Sequence, residues 1–193
     1  MKPQTWLALG DSYTIGEGVP LHDSYPYQAL QMLRAGGRAF HAPEIVARTA
    51  WTSHELIAHV QQIHLQPTYD YVSLLIGVND QYRGLKEDDY ESSFEWLAEK
   101  ALLLTRGLAA HVTVLSIPDW GVTPYAAGRD THAAIDRHNA INRNISTRKG
   151  FHYIDITEEY RRTGGLAENV VEDGLHPSAA VYRRWAEALV KNL

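Results

Sequence analysis

Cysteine is missing altogether from the 193 residues. Without it there is no disulfide framework, no thiolate zinc site and no cysteine nucleophile, and redox chemistry says nothing about the compartment. Long apolar runs are missing too: no stretch approaches the ~20 residues that span a bilayer. The opening Met1-Lys2-Pro3-Gln4-Thr5 carries neither the apolar segment nor the small-residue cleavage site of a secretory signal, so a cytoplasmic protein is expected. Charge of one sign is in only slight excess, with 18 Lys and Arg against 23 Asp and Glu interspersed along the chain. That balance argues against nucleic acid or an anionic membrane as the main partner. Internal repeats, low-complexity segments and linkers are absent as well, which points to one domain over residues 1–193.

What is present is a core. Apolar residues make up 45% of the chain, too many for a disordered protein. They fall into short runs at Trp6–Leu9, Glu44–Ala47, Tyr71–Ile76, Val112–Ile117 and Phe151–Ile154, nearly continuous and rich in β-branched residues. Such runs suit strands covered on both faces. Helix-period segments lie between them, near 24–35, 53–64, 88–108, 131–148 and 178–191. The third is the clearest, since Tyr90, Phe94, Leu97, Ala101, Leu104 and Leu108 recur at spacings of four and three. Five β–α alternations imply an α/β fold, a parallel sheet of about five strands with helices on both faces.

In such a sheet ligands bind beyond the carboxyl ends of the strands. The segments to search are therefore Gly10–Gly18, Arg48–Ser53, Gly77–Gly84, Pro118–Asp130 and Ile156–His176. The first holds Ser12, on a glycine-loosened turn after the first strand. A serine there is ordinarily a turn or cap residue, and its hydroxyl is a poor nucleophile until a base takes its proton. Among ten histidines, His54, His59 and His64 step by five, off any common helix face, and make no metal cluster. His132 and Asp136, at i and i+4, read as a surface contact. His176 differs: it precedes Pro177 at the start of the last helix, with Asp173 three residues earlier. A tight loop there can bring the carboxylate to one ring nitrogen and leave the other facing Ser12. An aspartate capping its own loop beside a helix-start histidine has the same spacing. Asn79, in Gly77-Val78-Asn79-Asp80 after the third strand, can donate to an oxyanion or simply form a turn.

Three blocks, Gly-Asp-Ser at 10–12, Gly-x-Asn-Asp at 77–80 and Asp-x-x-His at 173–176, stand in the order found in the SGNH (GDSL-like) hydrolases, which the chain resembles over essentially its whole length. The resemblance implies a flavodoxin-like three-layer α/β/α sandwich and lipase or esterase activity. It makes Ser12 the nucleophile, His176 the general base and Asp173 its orienting acid. The oxyanion donors would be the backbone N–H of Ser12, the Asn79 amide and a backbone N–H after the second strand. That last place, within Ala47–Ser53, is filled by Ala50, where the family usually has glycine. A backbone N–H survives the change, so Ala50 is expected still to donate. If its φ is positive the Cβ costs roughly 1 kcal/mol, and if negative almost nothing. Tyr13 replaces the leucine of the older Gly-Asp-Ser-Leu signature and is expected to pack beside the turn, with Asp11 accepting from backbone N–H groups.

Trp51, Tyr82, Trp120 and Tyr125 are candidate pocket walls or, equally, covers for the sheet end. Some twelve non-periodic residues after the fourth strand are long for such a connection and suggest a functional loop. Arg83 reads as a solvated arginine, with an anionic substrate as the other use. Together these features describe a serine esterase acting on a small-molecule ester, short acyl groups such as acetyl foremost, with no metal or organic cofactor. An acyltransferase or thioesterase using the same residues, and a non-catalytic binding module on the same fold, remain open at this level. Oligomeric state is not legible.

Overall fold

A computed structural model describes residues 2–193. The apolar runs become strands β1 (Trp6–Asp11), β2 (Glu44–Arg48), β3 (Tyr71–Leu75), β4 (Val112–Leu115) and β5 (His152–Ile154). Their residues serve opposite faces in turn, as the pleat demands. Trp6 and Ala8 join one core cluster, Leu7 and Leu9 the other. The helices are α1 (Ser12–Ile15), α2 (Tyr25–Ala35), α3 (Ser53–Gln62), α4 (Val78–Tyr82), α5 (Glu87–Leu104), α6 (His132–Lys149), α7 (Thr157–Thr163) and α8 (Ala179–Leu189).

The pairing is parallel throughout, in the order β2-β1-β3-β4-β5. Tyr25, Ala29 and Leu33 of α2 and Tyr182, Trp185 and Leu189 of α8 cover one face. Leu56 and Val60 of α3, the Tyr90–Leu104 stripe of α5 and Ile145 of α6 cover the other. This is the flavodoxin-like three-layer α/β/α arrangement. The chain runs from β1 to β2 on one side and returns to β3 on the other, so a crevice opens beyond the carboxyl end of β1. The loops after β1, β2 and β3 converge there.

One helix is shorter than the sequence pattern suggests, and some short helices lie outside it. Helix α5 stops at Leu104 because Arg106 (φ 59°) and Gly107 (φ 79°) adopt left-handed backbone. Leu108, the last member of the expected stripe, therefore lies past the helix and is exposed. Helices α4 and α7, of one to two turns, escaped the periodicity reading, which needs a longer window. Among the described residues no helix is long and apolar enough to cross a membrane.

Candidate active site

The turn after β1 is built without slack. A Cβ on Gly10 would fall 2.0 Å from the Thr14 hydroxyl and 2.5 Å from the Leu75 carbonyl, so glycine is required. Asp11 caps α1, accepting the Tyr13 N–H at 3.0 Å, as expected of it. Ser12 is then the first residue of α1, where backbone N–H groups have no partner within the helix. The residue is 4% exposed and lines a cavity of about 170 Å³.

His176 lines the same cavity. The loop before it is pinned by an antiparallel bridge between Val170 and Pro177 and by the Val171 N–H to the His176 carbonyl at 2.9 Å. Within it one Asp173 oxygen accepts the Leu175 and His176 N–H groups at 2.8 and 2.9 Å. The other lies 2.6 Å from His176 Nδ1. Partial desolvation opposes ionisation of this carboxyl, but the bonds from His176 and Leu175 outweigh it and hold the group below its ordinary range. With Nδ1 engaged, Nε2 is the imidazole nitrogen left for chemistry. Tyr13 packs against the ring, centroids 5.3 Å apart.

Two further segments flank Ser12. Helix α4 is capped by Gly77, where a φ of 127° and the Tyr90 ring, 2.6 Å from where a Cβ would lie, both demand glycine. It presents Asn79 to the cavity. One amide N–H of Asn79 holds the Trp51 carbonyl at 3.0 Å, and a second is free to donate elsewhere. Between β2 and α3 the chain makes a tight turn closed by the Trp51 N–H to the Arg48 carbonyl at 3.3 Å. Ala50 stands third in that turn with φ 65°, the position and sign that favour glycine. The sequence left that sign open; it is positive, and the Cβ costs about 1 kcal/mol or slightly more. Among the described residues no backbone carbonyl takes up the Ala50 N–H, and Ala50 lines the cavity.

Tyr82, Trp120 and Tyr125 form the outer wall. The hydroxyls of Tyr82 and Tyr125 meet at 3.0 Å, and the Tyr82 and Trp120 rings stand edge to face at 5.2 Å. Trp120 is fixed by its indole N–H to Gln81 at 2.6 Å. The loop carrying it is anchored by the fully buried Asp119, which accepts from Gly121, Thr131, His132 and Arg161.

Three sequence expectations change here. Trp51 does not line the cavity: its ring packs on His59, centroids 4.8 Å apart, because the turn at Ala50 directs the next side chain away. His132 pairs with Asp119 rather than with Asp136, which binds Arg161 instead. Arg83 is not simply solvated: it donates to the Ala50 carbonyl and to Glu55. Tyr13, Thr49, Val78 and Leu175 line the cavity without having been singled out for it. Each adjoins a motif residue, and that adjacency was the available signal. Among the described residues no group of three or more His, Cys, Asp or Glu is placed to hold a metal ion.

Asp11 carries a consequence for stability. It is fully buried, and desolvation, resisted by the Tyr13 N–H and reinforced by Asp80, raises its carboxyl from an ordinary 3.8 to about 8. The native state therefore holds a proton that the unfolded chain releases. Its stabilisation is complete below 3.8 and is lost as pH rises through 8. Asp11→Asn keeps the acceptor for Tyr13 but cannot ionise. Melting curves should show wild type losing ground to this variant between pH 5 and pH 8, by up to about 1.4 kcal/mol per pH unit. A pH-independent gap means an ionised Asp11 in the native protein.

A family model described as GDSL-like Lipase/Acylhydrolase matches residues 8–184. No curated protein matches the sequence. Similar solved structures include TesA, at 20% identity and TM-score 0.78, covering 98% of each chain. A lipase/acylhydrolase from Enterococcus faecalis follows at 18% and 0.77, covering 97% of this chain and 94% of that one. The W215I form of Axe2, an acetyl xylan esterase from Geobacillus stearothermophilus, aligns at 19% and 0.76 over 100% of this chain and 96% of its own. Such identities speak for the fold, and the family model speaks for descent. The chain belongs to the GDSL-like lipase/acylhydrolase family and is a carboxylic ester hydrolase.

Proposed function

We propose that residues 1–193 act as one hydrolase domain that cleaves short-acyl esters through an acyl-enzyme on Ser12. The reading is carried by one observation: Ser12 and the Asp173-bound His176 share a small cavity with Ala50 and Asn79. Ser12 Oγ attacks the ester carbonyl as His176 Nε2 takes its proton. Charge develops on the carbonyl oxygen, which accepts from the N–H groups of Ser12 and Ala50 and from the Asn79 amide, all three lining the cavity. The intermediate collapses, the C–O bond breaks, and the alcohol leaves with the proton from His176. Water, deprotonated by the same imidazole, then attacks the acyl-enzyme and releases the acid and Ser12.

The small cavity supports a short acyl group. A cavity of ~150 Å³ takes a six-carbon ring, so one of about 170 Å³ takes a group of similar size. That suits acetyl to butyryl with the ester oxygens, beside a wall formed by Tyr82 and Tyr125. The acetyl xylan esterases Axe2 and AlAXEase share the fold, in keeping with acetyl as the acyl group.

The test combines a fluorophosphonate, read by mass mapping of the adduct, with p-nitrophenyl esters from acetate to octanoate. An adduct on Ser12 and a kcat/KM at least about tenfold lower for octanoate than for butyrate are expected. No adduct on Ser12 overturns the nucleophile, and a flat or rising acyl series overturns the short-acyl reading. Product analysis with added alcohols identifies an acyltransferase if the acyl group goes to the alcohol in preference to water.

A further inference from the structure

Three side chains from one short segment grip the turn that bears Ala50. Asn79 donates to the Trp51 carbonyl at 3.0 Å. Asp80, buried, accepts the Ser53 N–H at 2.9 Å and its hydroxyl at 2.6 Å. Arg83 donates to the Ala50 carbonyl at 2.5 Å. The first two bonds fix where the turn joins α3. Only Arg83 acts on Ala50 itself.

Arg83 is in turn held. Its other terminal nitrogen lies 3.3 Å from both Glu55 oxygens. Glu55 is not a free surface carboxylate: it closes the capping box of α3, accepting the Thr52 N–H at 2.9 Å and hydroxyl at 3.1 Å. The backbone bond from Thr52, only partly opposed by desolvation, and the bonds from Arg83 keep this carboxyl below its ordinary range. With side chains 41% and 42% exposed, the ion pair itself adds little to stability. Its effect is to aim the guanidinium.

What it aims at is a strained residue. Ala50 keeps φ 65° against the steric penalty of its Cβ, and nothing else among the described residues bonds its carbonyl. A glycine would reach this conformation unaided. We infer that Arg83 is a positioning residue for the oxyanion donor, its bond to the Ala50 carbonyl holding the left-handed turn that keeps the Ala50 N–H directed into the cavity. The inference rests on the esterase reading above. Arg83 touches no reacting atom. It stands in for the conformational freedom that alanine lacks.

A double-mutant cycle with Arg83→Met and Ala50→Gly tests this on p-nitrophenyl acetate. A wholly lost backbone donor costs a factor of about 10²–10³, so a loosened one should cost less. Arg83→Met is expected to lower kcat about tenfold to thirtyfold, with KM within about threefold, because the donor matters most when charge develops. Arg83→Lys, which can still reach the carbonyl, recovers part of the loss. On the Ala50→Gly background the same Arg83→Met change costs at most about threefold, since glycine populates the turn without the clamp. An unchanged kcat in Arg83→Met, or equal losses on both backgrounds, overturns the inference. The exposed Arg83 makes misfolding an unneeded explanation, and melting curves verify that; a destabilised Arg83→Met is replaced in the cycle by Arg83→Leu, which also lacks a donor. Fluorophosphonate labelling of wild-type Ser12 separates the two levels. Labelling with no Arg83 effect defeats only the clamp, whereas no labelling defeats the esterase mechanism itself.

Discussion

Ser12→Ala is expected to lower kcat on p-nitrophenyl acetate by on the order of 10⁵- to 10⁶-fold and to abolish the fluorophosphonate adduct. The substitution removes one oxygen and little else. The turn it sits on is fixed by Gly10, by the Asp11 side chain on the Tyr13 N–H, and by the Ser12 carbonyl on the Gly16 and Glu17 N–H groups. None of these uses the hydroxyl, so the variant should melt close to wild type. What survives is the polarising environment: His176 with its carboxylate, the Asn79 amide and the backbone donors can still assist direct attack by water, slowly. Circular dichroism and intact-mass labelling of the same sample check both halves of the statement. A Ser12→Ala protein that keeps its rate and its adduct removes Ser12 from the mechanism.

Asp173→Asn should be the next most damaging change, by about 10²–10³ in kcat with KM little altered. The carboxylate has two duties, divided between its oxygens. One oxygen gathers the Leu175 and His176 N–H groups and shapes the loop. An asparagine carbonyl can do the same. The other oxygen accepts the hydrogen bond from His176 Nδ1–H, with N···O 2.6 Å. An amide NH₂ in that place donates instead of accepting, which favours the tautomer with its proton on Nε2. That tautomer cannot take a proton from Ser12. The loss is set below the ~10⁴ of a fully buried acid because the Asp173 side chain is 41% exposed, and water can supply part of the missing acceptor. Steady-state kinetics on short-chain esters measure it. A fall under about threefold would mean that the carboxylate only shapes the loop.

The layers of the fold were legible because strands buried on both faces leave nearly unbroken apolar runs, and Tyr90 to Leu104 leave a helical stripe. The failure at Leu108 is instructive. Its spacing continues the stripe, yet Arg106 and Gly107 turn the backbone left-handed first, and no periodicity records a backbone sign. The same limit hid the state of Ala50, whose identity was visible but whose φ was not. Side-chain direction after a tight turn is equally silent, so Trp51 could be assigned to a loop but not to a face. Partners far apart in sequence were the other blind spot. His132 has an acid four residues away and bonds one thirteen residues away, because Asp119 is buried and needs donors more than Asp136 does. Arg83 looked solvated because its carbonyl partner lies 33 residues back. The motif residues were easier. Ser12 and Asn79 each follow a strand and His176 precedes a helix, boundaries that can be read locally, and all three residues line one cavity at the carboxyl end of the parallel sheet.

The bonds from Asn79, Asp80 and Arg83 to Trp51, Ser53 and Ala50 also bear on how this enzyme can be rebuilt. Four of the six residues contribute through main-chain atoms or through a carboxylate and hydroxyl matched to each other. A relative's counterpart of residues 49–52 offers the same carbonyls and can be exchanged alone, whereas Ser53 with Asp80 and Glu55 with Arg83 are matched side chains. A chimaera of this enzyme should therefore take residues 53–55 and 79–83 from the same parent.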